Sequence, residues 1–120
     1  MNVVTLIGNL ATDVELRELG DERRVASFVL AVDRPGPEGK ADFFRIAVWN
    51  KQAEVCNRYL AKGRRVALDG RLRSRSWDDA DGKRRSAVEV VANRVQFLSP
   101  REGDAQAASM EAPFEAAAAP

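Results

Sequence analysis

The chain has no histidine and a single cysteine, Cys56, which sits inside an apolar pattern. Histidine or cysteine metal sites therefore cannot be assembled, and neither can Ser-His or Cys-His nucleophile pairs. A lone thiol builds no intramolecular disulfide, and Cys56 reads as a small core residue rather than a reactive group. No run approaches the roughly 20 apolar residues of a membrane helix. The opening MNVVTLIGNLATD is interrupted by polar residues too soon for a signal peptide, so a cytoplasmic protein is expected. The acidic residues show no paired spacing beside a glycine-rich phosphate loop, which argues against acid-base catalysis and nucleotide hydrolysis. The expectation is a protein that is not an enzyme and uses no cofactor and no metal.

Net charge is also scarce, at only +1 over 120 residues, but it is unevenly spread. Residues 101–120 hold Arg101 against Glu102, Asp104, Glu111 and Glu115, so residues 1–100 carry the excess of positive charge. A basic body with an acidic tail is the asymmetry of a chain that meets polyanions. The tail is almost wholly Ala, Glu, Gln, Ser and Pro and has too few bulky apolar groups to offset the entropy of ordering. The expected organisation is one domain over residues 1–100 and a disordered acidic, alanine-rich tail over 101–120.

Within the body, Val3 to Asn9 reads as a strand closed by Gly8-Asn9, where the absent side chain suits a bulge or bend. Residues 14–32 read as two extended runs around a turn at Gly20-Asp21, and 42–50 as a further strand after a loop rich in Pro and Gly. Residues 51–62 change to helical spacing, with Ala53, Cys56, Tyr59 and Leu60 on one side and Gly63 placed to end the helix. Residues 64–77 and 86–98 read as two long strands joined at Asp81-Gly82. This order predicts an all-β OB-fold: a five-stranded Greek-key barrel with one helix between strands three and four.

Side chains alternate between the faces of a strand, so each face can be read from residue parity. Phe44, Ile46 and Val48 form a core face, whereas Phe43, Arg45, Ala47 and Trp49 share the other. In the next strand Val66, Leu68 and Leu72 point one way, and Asp69, Arg71, Arg73, Arg75 and Trp77 the other. Beyond the Asp81-Gly82 turn come Lys83, Arg84 and Arg85. Flat π surfaces interleaved with guanidinium groups suit a flexible nucleic-acid strand, since bases stack on the rings while cations neutralise phosphates. Taken alone, Trp49 fits packing as well as stacking, and Phe43 would exchange roles with Phe44 if the register slipped. An OB-fold module for RNA or for protein contact remains the alternative reading of the same basic face.

The segments VTLIGNLATDVELR, FFRIAVWNKQAEVCNRYLAKGRRVALDGRLRSRSW and AVEVVANRVQFL resemble the bacterial single-stranded DNA-binding protein family over about residues 2–99. The resemblance implies an OB-fold that assembles, usually as a tetramer, and coats single-stranded DNA with little sequence preference in replication, recombination and repair. It would place such a protein in the nucleoid-associated cytoplasm. Phe43, Trp49 and Trp77 match stacking positions, and Arg45, Lys51, Arg71, Arg73, Arg84 and Arg85 match the DNA path. Arg75 and Lys83 join them as phosphate contacts read from the residues themselves. Two departures stand out. The stretch VDRPGPEGKAD lacks the aromatic usual there, and Pro113-Phe114 is followed by EAAAAP instead of ending the chain. The second departure points to a short-tailed accessory paralogue with weakened recruitment of replication or repair proteins.

Overall fold

A computed structural model describes residues 1–98, and the tail expected over 101–120 lies outside them. Six strands and one helix occur in the order β1 (Val4–Leu10), β2 (Glu15–Glu18), β3 (Arg24–Asp33), β4 (Ala41–Trp49), α1 (Asn50–Tyr59), β5 (Arg65–Asp78) and β6 (Arg84–Phe97). Two segments occupy the place of the expected first strand and the start of its hairpin. Both β1 and β2 run antiparallel along β3, so β2 continues β1 after a break at residues 11–14. Counted this way the barrel has five strands, and it closes on itself: β1 pairs with β5, β5 with β6, β6 with β4, β4 with β3 and β3 with β1. The parallel seam of the barrel joins β4 to β6 through Ile46↔Val90 and Ala47↔Val91. This is the OB-fold expected from the sequence.

Two glycines permit the closure. A Cβ on Gly8 would stand 2.2 Å from the Ala31 carbonyl oxygen, where β1 turns from β5 toward β3. One on Gly70 would stand 2.1 Å from the Val91 carbonyl oxygen, at the β5–β6 register shift between Asp69 and Gly70. The bend expected at Gly8-Asn9 is thus a close backbone approach that excludes any side chain.

The core takes Ala26, Phe28 and Leu30 from β3, Ile46 and Val48 from β4, Val66 and Leu68 from β5, and Val90, Ala92, Val95 and Phe97 from β6. The helix closes it with Ala53, Cys56 and, just past its end, Leu60. Tyr59 corrects the sequence reading: it falls at the edge of the buried stripe, is 39% exposed and tilts its ring toward Phe97. Burial pushes the Cys56 thiol up to about 12, which fits an inert core residue.

Leu72 is a second correction. Expected in the core, it is 46% exposed, because β1 ends its pairing with β5 at Val4↔Gly70 and leaves the outer half of β5 uncovered on that side. The Asn2 side-chain amide caps that edge, donating to the Leu72 carbonyl and accepting from its N–H, both at 2.8 Å. From Leu72 outward, β5 and β6 leave the barrel wall as a two-stranded arm.

Candidate nucleic-acid interface

Directly paired residues of neighbouring strands share a face, so the registers join the outer sides of β3, β4, β6 and β5 into one surface. On β4, Phe43 lies beside Ala31, Arg45 beside Val29, and Trp49 beside Val25. Ala47 lies beside Val91 across the parallel seam. From Val91 the surface runs onto the arm, with Arg71 opposite Val91, Arg73 opposite Glu89, Arg75 opposite Ala87 and Trp77 opposite Arg85. Three sequence-selected aromatics and five sequence-selected arginines therefore stand on one continuous face.

Alternation in β4 falls as the sequence reading expected: Phe44 packs on the core, whereas Phe43 is 65% exposed. Trp77 is also exposed, and Trp49 is half-buried at the β4–α1 junction. Ala47 and Val91 are buried without belonging to the core cluster. They form the floor of this outer face, beneath its longer side chains.

The cations divide into two groups. Arg45, Lys51, Arg71 and Lys83 are exposed and, among the described residues, have no ion pair, so they are free to meet an anion. Arg73, Arg75, Arg84 and Arg85 already have carboxylate neighbours. Arg84 is separated from the rest: it pairs across the arm with Asp78, on the face opposite Trp77 and Arg85, 3.6 Å from the Asp78 carboxylate. Lys51 sits in the first turn of α1, two residues past Trp49, and Lys83 sits at the tip of the arm.

Each partnered arginine on this face has a defined seat. The Arg73 guanidinium carbon lies 5.8 Å from the centre of the Trp49 ring, and that of Arg75 lies 5.5 Å from the centre of Trp77. Arg85 donates to Asp79 at 2.8 Å. The Asp79 carboxylate also accepts the N–H groups of Asp81 and Lys83, each at 2.9 Å, so one side chain closes the tip of the arm. The Arg85 hydrogen bond, followed by that from the Lys83 backbone, holds the Asp79 carboxyl below the ordinary carboxylate range.

Three residues of this surface escaped the sequence reading. Glu89 is the buried acid between Arg73 and Arg75; counting back from a two-residue turn at Asp81-Gly82 would set Val90 opposite Arg73, and only the observed register, one residue away, places Glu89 there. Asp79 looked like one acid among several in a turn. Arg17 is exposed and pairs with Val25, which pairs in turn with Trp49, so the face extends past the tryptophan onto β2. A four-residue strand with mixed charges gave no parity signal strong enough to pick Arg17 out. Among the described residues, no group of His, Cys, Asp or Glu is arranged to hold a metal ion, and no helix is long and apolar enough to cross a membrane.

Comparison with known proteins gives this geometry a context. The family model described as single-strand binding protein family matches residues 1–98. The chain is 44% identical over 113 residues to a single-stranded DNA-binding protein of Halalkalibacterium halodurans, covering 91% of this chain and 67% of the relative. It is 45% identical over 107 residues to one of Bacillus cereus, covering 86% and 63%. To single-stranded DNA-binding protein 3 of Clostridium acetobutylicum it is 50% identical over 102 residues, covering 82% and 71%. The chain thus spans about two thirds of the length of the curated relatives it matches.

Proposed function

Because the chain belongs to the single-strand binding protein family, we propose that it coats single-stranded DNA with little sequence preference and performs no chemistry on it, serving replication, recombination and repair. The observation that carries this reading is the shared face of β3, β4, β6 and β5, where Phe43, Trp49 and Trp77 alternate with cations. Stacking is available to every base because every base has a π face, and phosphate neutralisation is indifferent to sequence. In this reading Phe43, Trp49 and Trp77 stack bases. Arg45, Lys51, Arg71, Arg73, Arg75, Lys83 and Arg85 attend the phosphates, with Arg17 extending the track. Arg84 reaches the strand only if it wraps the tip of the arm.

The wider assignment rests on the family: residues 1–100 as the binding body, assembly as a homotetramer in the nucleoid-associated cytoplasm, and weak recruitment of partner proteins through residues 101–120. The test is a tryptophan-fluorescence titration with oligo(dT), duplex DNA and hairpin RNA of equal length, on a sample whose mass in solution has been measured. Quenching and tight binding with oligo(dT) alone are expected. Equal or stronger binding to the hairpin RNA would replace the reading with that of an RNA module.

A further inference from the structure

Glu89 is the one charged side chain buried among the described residues, at 5% exposed, and it lies opposite Arg73 on the face that carries Trp49, Arg71, Arg75 and Trp77. An acid in the path of a polyanion should oppose binding unless it does something the binding needs. Its contacts show what that is. Glu89 Oε1 accepts from Arg73 Nη2 at 2.5 Å and from Arg73 Nε at 3.1 Å, and Oε2 stands 3.9 Å from Arg75 Nη1. The same two guanidinium groups lie over Trp49 and Trp77. One carboxylate therefore links a ring on β4 to a ring on the arm through two arginines.

Arginine loses substantial rotamer freedom when it is fixed in place, and an acceptor already present in the free protein removes that loss from the binding step. The guanidinium also has donors to spare. Glu89 engages Nε and one terminal nitrogen of Arg73, which leaves the other terminal nitrogen for a phosphate. A carboxylate and a phosphate can thus be served together.

We propose that Glu89 is a positioning residue for the single-strand interface: its carboxylate holds Arg73 and Arg75 against Trp49 and Trp77, so that both rings and both cations meet the strand as a preset array. The proposal rests on the reading of this face as the binding surface. It predicts that loss of the Glu89 charge acts only through the two arginines.

Four proteins decide it in oligo(dT) titrations followed by tryptophan fluorescence: wild type, Glu89→Gln, the Arg73→Ala/Arg75→Ala double variant and the triple variant. Glu89→Gln, which keeps the volume and one acceptor, is expected to weaken binding about tenfold. The same change in the double-variant background is expected to add no further loss. Glu89→Gln binding as tightly as wild type, or more tightly, would show a carboxylate that merely repels DNA and would overturn the proposal. An equal tenfold loss with and without the arginines would overturn it too, by showing a fold-wide role. If Glu89→Gln does not fold, as read by circular dichroism, Glu89→Asp serves in the same cycle, since it keeps the charge and withdraws it from both arginines. Wild-type protein that ignores oligo(dT) would sink the reading of the face and the proposal with it. Wild-type binding with an indifferent Glu89 variant sinks the proposal alone.

Discussion

At the scale of single residues, exposure separates side chains that hold the fold from those free to work on its surface. Trp77 is 42% exposed, out on an arm beyond the barrel wall, so little packing depends on it. Trp77→Ala is expected to weaken oligo(dT) binding by about 1–3 kcal/mol, the contribution of one stacked base, while leaving the thermal midpoint nearly unchanged. A variant that melts far earlier, or binds normally, would show the ring to be structural. Cys56 is the converse case. Its fully buried thiol, raised to about 12, is expected to ignore a thiol reagent at neutral pH until denaturant is added. Prompt labelling of the folded protein would contradict the core placement. Parity made much of this legible in advance: alternation alone separated Phe43 from Phe44 and aligned Arg71, Arg73, Arg75 and Trp77. Glu89 stayed hidden because its significance lies in what stands opposite it, and a pairing register is a property of two strands.

Among the elements, the β5–β6 arm carries the least obvious physics. A two-stranded ribbon has little core of its own, and this one is closed at its tip by Asp79. The Asp79 carboxyl is lowered in the folded protein, so its contribution to tip stability is present above the unfolded-state pKa and is lost as pH falls through the lower folded value. The Asp81 and Lys83 amides should therefore shift in acid titrations followed by NMR, and Asp79→Asn should abolish that dependence and release Arg85. Amides that hold their positions through the whole acid range would show the tip closed by other means. Gly70 marks where the arm leaves the barrel, and Gly70→Ala would drive a Cβ into the Val91 carbonyl. A loss of about 1–3 kcal/mol or more is expected in denaturant unfolding. The strands, the helix and both turns could be read from periodicity and Gly-Asp signals. The exposure of Leu72 could not, because it depends on where a different strand, β1, stops covering it. The break between β1 and β2 was legible, since one run closes at Gly8-Asn9 and the next opens at Val14; that both segments lie along β3 was not, because it depends on the pairing.

Across the whole molecule, a net charge of +1 conceals a surface organised for an anion, and the difference between free and partnered cations makes that organisation measurable. Each phosphate neutralised by a free cation releases counterions and adds about −0.7 to the slope of log K against log salt for single strands. Arg71 has no carboxylate partner among the described residues and stands on the same face as Trp77, so Arg71→Ala should flatten the slope by about 0.7. Arg84 is paired with Asp78 on the other face of the arm, and Arg84→Ala should leave the slope nearly unchanged. Sequence reasoning treated these two arginines alike, since both belong to basic runs of the same hairpin; only the register sets them on opposite sides. Slopes for wild type and both variants come from oligo(dT) titrations at four or more salt concentrations, with affinity taken from tryptophan quenching. Equal flattening by the two substitutions would mean that the strand wraps both sides of the arm. No flattening by Arg71→Ala would move the phosphate track off β5, away from the face on which the aromatic rings stand.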